Sequence, residues 1–79
     1  MARTSKLEAV QRAVGNRLRI AREAAGLTQE SAAAAARVDY KRYQRIEQGE
    51  VNATLRTLVR VADALGTDFW SLVGGTRPR

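Results

Sequence analysis

Apolar residues along this chain recur at intervals of three and four, the period of one helix face. No stretch of four or more residues alternates apolar with polar as a half-buried strand would. Glycine punctuates the pattern: Gly26, Gly49 and Gly66 each follow a helical segment, where a left-handed residue would stop it. A threonine soon after each one (Thr28, Thr54 and Thr67) offers an N-cap oxygen. The single proline, Pro78, breaks nothing before the C-terminus. Five helical segments are therefore predicted. The first runs from about Lys6 to Ala25, with Leu7, Val10, Val14, Leu18, Ala21 and Ala25 on one inward stripe. The second covers Gln29 to Ala36 behind Thr28. The third covers Tyr40 to Gln48 behind Asp39, whose charge suits a helix N-terminus. The fourth, Leu55 to Leu65, turns Leu55, Leu58, Val61, Ala62 and Leu65 inward. The last is short, about Asp68 to Val73, with Phe69 and Leu72 inward. The alanine run from Ala32 to Ala36 reads as strong helix former whose small side chains admit a close neighbour.

Composition narrows the function. Seventy-nine residues make one small domain, residues 1–79, too short to bury much core alone, so a second copy would help it. Its ends, residues 1–6 and 74–79, are rich in Arg, Gly and Thr and are expected to be mobile tails. Fourteen Lys and Arg against eight Asp and Glu leave a net charge of +6, and twelve of the fourteen are Arg. Arginine's planar fork suits phosphates and guanine edges. Histidine and cysteine are absent. A disulfide framework, thiol catalysis, the common zinc sites and an imidazole base are excluded with them. Asp39, Asp63 and Asp68 fall at caps or on an outer face with no His or Cys to work beside them, so an enzyme is not expected, nor a metal, cofactor or small-molecule ligand. No apolar run approaches the roughly 20 residues of a membrane span, and no signal-peptide core follows Met1. A membrane-surface helix over residues 1–25 would want large aromatics that this stripe lacks. A cytoplasmic, cationic domain with nucleic acid as its leading partner remains.

The stretch from Gln29 to Gln48 carries that chemistry. Two short helices are joined around Arg37, Val38 and Asp39, the length of the turn in a helix-turn-helix. On a helical wheel Val38, Tyr43, Ile46 and Glu47 point one way. Tyr40, Lys41, Gln44, Arg45 and Gln48 point the other, an acid-free face of donors and one planar ring at the spacing a major groove requires. Arg and Lys can pair with guanine O6 and N7, Gln with adenine N6 and N7, and Tyr with a thymine methyl or a phosphate. Arg37 and Arg42 flank the face and are better placed for phosphates.

From Leu18 to Val73 the chain resembles the Xre-type (phage Cro and repressor-like) helix-turn-helix domain. The matching pieces are LRIAREAAGLTQE at Leu18–Glu30, YQRIEQG at Tyr43–Gly49, TLRTLVRVADALG at Thr54–Gly66 and then FWSLV. Their order and spacing carry the resemblance together. It implies an all-α, five-helix, lambda-repressor-like fold with residues 18–73 as its core. It also implies a homodimer that binds double-stranded DNA at a pseudo-palindromic operator to control transcription. Carried over by position, Tyr40, Lys41 and Arg45 read bases, with Gln44 beside them. Gln29 holds a phosphate, and Gln48 meets the DNA backbone. Arg22 and Glu47 match a buried ion pair that ties the first helix to the recognition helix. The small size and the NATLRTL segment are also similar to the controller proteins of restriction-modification systems.

Some positions depart from that pattern. Arg37 replaces the turn glycine; if the backbone still needs positive φ, that costs roughly 1 kcal/mol. Ala32 stands where the family has Leu, and Tyr43 where it has Ile or Val, so the larger ring is expected to fill the room Ala32 leaves. Ala53 replaces a common proline. Trp70 points sideways or out of its segment, and with Val51, Leu72 and Val73 it forms the expected dimer interface. The alternative function is an antitoxin-type interaction module, since this fold also serves in that role with a protein as its main partner.

Overall fold

The computed structural model describes residues 5–75 and 78. Its regular elements are five helices: α1 (Lys6–Ala24), α2 (Gln29–Ala36), α3 (Tyr40–Glu47), α4 (Leu55–Leu65) and α5 (Phe69–Leu72). Each start has a chemical cause. The Ser5 hydroxyl accepts from the Glu8 amide while the Glu8 carboxylate accepts from the Ser5 amide, a reciprocal cap that opens α1. Ser5 and Lys6 therefore belong to a helix start; the tail expectation otherwise falls partly on residues 1–4, 76, 77 and 79, outside the described residues. Thr28 and Ser31 make the same exchange at α2, and Asp39 and Thr54 cap α3 and α4. The N-cap position of α5 is taken by Asp68 and not by Thr67. The Thr67 amide instead closes the preceding helix by donating to the Ala62 carbonyl at 3.0 Å.

Leu18, Tyr43, Val61 and Leu72 are the largest fully enclosed side chains, with Val14, Ile46, Leu58 and Leu65 around them. Ala32, Ala33 and Ala36 let α2 settle close against its neighbours. Tyr43 and Ala32 are both 0% exposed and belong to one core cluster. Burial, with the Glu47 carboxylate nearby, pushes the Tyr43 phenol above its ordinary pKa. Its hydroxyl has no hydrogen-bond partner of acceptable geometry among the described residues.

Four residues expected inside lie largely outside. Leu7 is 53% exposed, Val10 50% and Leu55 70%, and Ala25 is exposed as well. The 19-residue α1 is about 28 Å long, while α3, which it crosses, has eight residues. The apolar stripe of α1 thus overruns its partner, and Leu7 and Val10 line a shallow groove with Val51 and Leu58 instead. Leu55 is the first residue of α4, ahead of the turns that face the core.

Two backbone features fix where α3 lies. Gly15 sits in mid-helix, where it costs roughly 1 kcal/mol of propensity. A Cβ there would overlap the carbonyls of Ile46 and Glu47, so the missing side chain is what lets α1 cross the last turn of α3. Arg37 ends α2 in the left-handed region at φ 59°, ψ 45°, with the Val38 amide donating to the Ala33 carbonyl at 2.9 Å. The turn keeps the geometry that glycine would favour, and Arg60 donates to the Arg37 carbonyl at 3.0 Å.

The crossing is locked by charge. Arg22 Nε and Nη2 donate to the two oxygens of Glu47 at 3.0 and 2.9 Å, with side-chain exposures of 13% and 3%. Arg22 Nη1 donates to the Leu27 carbonyl at 2.9 Å. Burial works to raise the Glu47 carboxyl. The guanidinium, the adjacent Tyr43 phenol and the Gln29 amide outweigh it and hold the carboxyl below its ordinary range.

Urea unfolding tests both features. Arg37→Gly should stabilise by about 0.5–1 kcal/mol, since glycine enters the left-handed region without strain but adds freedom to the unfolded chain. A net loss would mean that the Arg37 side chain outweighs the strain. Glu47→Ala should destabilise by about 3–5 kcal/mol, and the exposed Glu50→Ala by no more than about 0.5 kcal/mol. Equal midpoints would remove the structural role of the pair. Because the folded carboxyl lies low, its contribution is in place above the ordinary glutamate pKa of about 4.3 and disappears as pH falls through the lower folded value. Glu47→Gln should flatten that acid limb.

Candidate nucleic-acid interface

The sequence of α3, Tyr-Lys-Arg-Tyr-Gln-Arg-Ile-Glu, divides by helical period into two faces. Tyr43, Ile46 and Glu47 are buried. Tyr40, Lys41, Arg42 and Arg45 are exposed, Gln44 is half-buried, and Gln48, just past the helix, is exposed. Tyr40, Lys41, Gln44 and Arg45 therefore share one accessible strip, with Arg42 beside it. Arg37 stands exposed at the turn that leads into α3.

Polar contacts reach this strip from behind. Gln29 Nε2 donates to Glu47 Oε1 at 3.1 Å, and Gln29 Oε1 accepts from Gln44 Nε2 at 3.4 Å. Gln44 Nε2 also donates to the Tyr40 hydroxyl at 3.3 Å. Reading the sequence as a wheel missed this chain, because the wheel assigns Gln44 to one face and Glu47 to the other. The spacing of four between Tyr40 and Gln44, which brings side chains together along a helix, was the available signal for its outer bond. The Gln29 side chain, expected at a phosphate, is instead turned inward onto Glu47 and Gln44. What the start of α2 presents is its main-chain N–H groups, as every helix start does.

The acid-free description of the strip also changes at its edge. Glu50, from the loop after α3, places Oε1 3.9 Å from Arg45 Nε, with side-chain exposures of 56% and 60%. A contact of that length in water is worth little and leaves the guanidinium free to move.

The residues expected at a dimer interface differ in exposure. Leu72 is 1% exposed and belongs to the core, because the inward face of so short a helix is all that α5 offers the bundle. Val51 is half-buried and lines the groove with Leu7, Val10, Val14, Ile46 and Leu58. Trp70 is half-buried, edge-on to Phe69 with ring centroids 5.1 Å apart, and Val73 is 37% exposed. Among the described residues no group of acidic side chains is placed to hold a metal ion, and no helix is long and apolar enough to cross a membrane.

Comparison with known proteins agrees with this geometry. The model of the helix-turn-helix domain family matches residues 13–68. No curated protein matches the sequence. Among solved structures, the restriction-modification controller protein C.AhdI from Aeromonas hydrophila is 33% identical, with a TM-score of 0.78, over 81% of this chain and 97% of that one. The clp gene regulator ClgR from C. glutamicum is 28% identical, with a TM-score of 0.76, over 80% of this chain and 82% of the other. An HTH_3 family transcriptional regulator from Vibrio cholerae is 25% identical, with a TM-score of 0.81, over 87% of this chain and 39% of that longer one. With five helices in the lambda-repressor-like arrangement and the family model spanning most of its length, the chain belongs to the helix-turn-helix domain family as an Xre-type DNA-binding protein.

Proposed function

We propose that the protein is a transcriptional regulator that binds a pseudo-palindromic operator in double-stranded DNA as a homodimer, with α3 in the major groove. One observation carries the reading: the exposed strip of Tyr40, Lys41, Gln44 and Arg45 is cationic, while the opposite side of the same helix is anchored by the buried Arg22–Glu47 pair. A rigid helix with an accessible polar face is what base readout needs. Arg45 and Lys41 suit guanine edges. Arg37, Arg42 and Gln48 suit phosphates, and at α2 the phosphate contact passes from the Gln29 side chain to the main-chain amides of the first turn. Two copies would set their recognition helices roughly 34 Å apart in successive grooves. The likeness to C.AhdI supports a restriction-modification controller as the regulatory setting. The homodimer interface is assigned to Trp70, Val73 and Val51, without Leu72.

Binding-site selection from random duplex DNA at two salt concentrations tests the reading. A two-fold symmetric consensus should emerge, with affinity that falls steeply as salt rises. Arg45→Ala should relax the choice at one position of each half-site by about 1–3 kcal/mol, whereas Arg42→Ala should weaken all sites alike and reduce the salt slope by about one. Enrichment of no sequence would remove the regulator reading in favour of a protein-interaction module.

Light scattering on Trp70→Ala tests the interface. A shift towards monomer is expected, and an unchanged dimer would move the contact to the exposed apolar surface around Leu7, Val10 and Leu55.

A further inference from the structure

The hydrogen-bond chain behind α3 has a direction. Its inner end is the Glu47 carboxylate, which Arg22 keeps ionised and which can therefore only accept. A glutamine amide has one end that donates and one that accepts. Facing a carboxylate, Gln29 must turn its NH2 inward, and its Nε2 lies 3.1 Å from Glu47 Oε1. Its carbonyl Oε1 is then left facing α3. Only a donor can answer it, so Gln44 must turn its own NH2 inward, and Gln44 Nε2 lies 3.4 Å from Gln29 Oε1. The second hydrogen of that NH2 goes to the Tyr40 hydroxyl at 3.3 Å. Both Gln44 donors are used, and its carbonyl oxygen is the end left for the groove. Tyr40, having accepted, keeps its own hydrogen to give. These outer bonds are long, so their effect is to choose which way each amide faces more than to add binding strength.

We propose that the buried Glu47 carboxylate, acting through Gln29, fixes Gln44 as a hydrogen-bond acceptor towards DNA. Gln44 then reads an exocyclic amino group in the major groove, adenine N6 or cytosine N4. This rests on the regulator reading, with α3 in the groove. It differs from the ordinary glutamine–adenine contact, in which the amide also donates to N7. Here no hydrogen is left for N7, so adenine and cytosine satisfy Gln44 equally well, and its neighbours must separate them. Gln29 is a positioning residue: it touches no base, yet it decides what Gln44 can read.

The test uses operator duplexes from the selection experiment, modified at the base pair whose preference is lost in Gln44→Ala. One set removes the amino group, with purine in place of adenine or 2-pyrimidinone in place of cytosine. The other removes the ring acceptor, with a 7-deazapurine at the same base pair. Losing the amino group should weaken the wild-type protein by about threefold to tenfold and leave Gln44→Ala unaffected. The 7-deazapurine should change wild-type affinity by less than about twofold. In Gln29→Met the Gln44 amide is released, and a 7-deazapurine penalty should appear while discrimination for the amino group declines. If that variant does not fold, the two wild-type arms decide the matter. A 7-deazapurine penalty in the wild type, or indifference to the amino group while sequence-specific binding persists, would overturn the assignment of Gln44. So would a selected consensus that Gln44→Ala leaves intact. Failure of the wild-type protein to select any duplex is a different result, which removes the regulator reading and this assignment with it.

Discussion

The Arg22–Glu47 contact is where α1, the loop after it, α2 and α3 converge. Arg22 spans from α1 to the Leu27 carbonyl and to Glu47 near the end of α3, and Gln29 adds a bond from the first residue of α2. Two charges removed from water are costly unless each is fully answered. Here the guanidinium meets three acceptor atoms and the carboxylate accepts from two residues, so the pair is tolerated in one geometry and penalised in others. Its contribution is to orientation more than to net stability. A recognition helix held only by apolar packing could rotate or slide at low cost, because such contacts have no direction. Bidentate hydrogen bonds do have one. The absence of a side chain at Gly15 completes the device, since it lets the backbone of α1 come close enough for Arg22 to reach.

Around this contact the core is assembled from an unusual pairing of sizes. Three buried alanines thin α2, and Tyr43 of α3 is fully enclosed in the same core cluster. The arrangement leaves a phenol hydroxyl in the core, a cost that a branched aliphatic residue would avoid. It also places that hydroxyl beside the Glu47 carboxylate, where it lowers the carboxyl further. Filling space and tuning charge are thus done by one side chain. Arg37 represents a similar exchange at the turn: a left-handed arginine is strained, yet it keeps an exposed cation at the turn before α3.

Much of this was legible in the chain. The starts of α1 to α4, the ends to within a residue, the caps Thr28, Asp39 and Thr54, and the two faces of α3 follow from local chemistry that periodicity and capping rules describe directly. What was misread depends on length and neighbours. An apolar period shows which face of a helix is greasy but not where along its length a partner ends, which is why Leu7, Val10 and Leu55 fall outside the core. Leu72 was given two incompatible roles, and the shortness of α5 decides between them. Gln29 illustrates a third limit: a polar side chain near a helix start can face outward to a ligand or inward to a buried charge, and only the tertiary position of Glu47 chooses.

The strip therefore contains two kinds of group. Lys41 and Arg45 are long, exposed and loosely held; they attract a polyanion at a distance and must lose side-chain freedom when they engage. Tyr40 and Gln44 are already joined to each other and, through Gln29, to the buried charge, so the facing of each is set before DNA arrives and they have less freedom to lose. An interaction that is ordered before binding loses more from a mismatched partner, since its atoms have no alternative arrangement with which to compensate. On the proposed reading, the cations draw the DNA in before they settle on guanine edges, and the pre-ordered amide and phenol add a penalty for a wrong base.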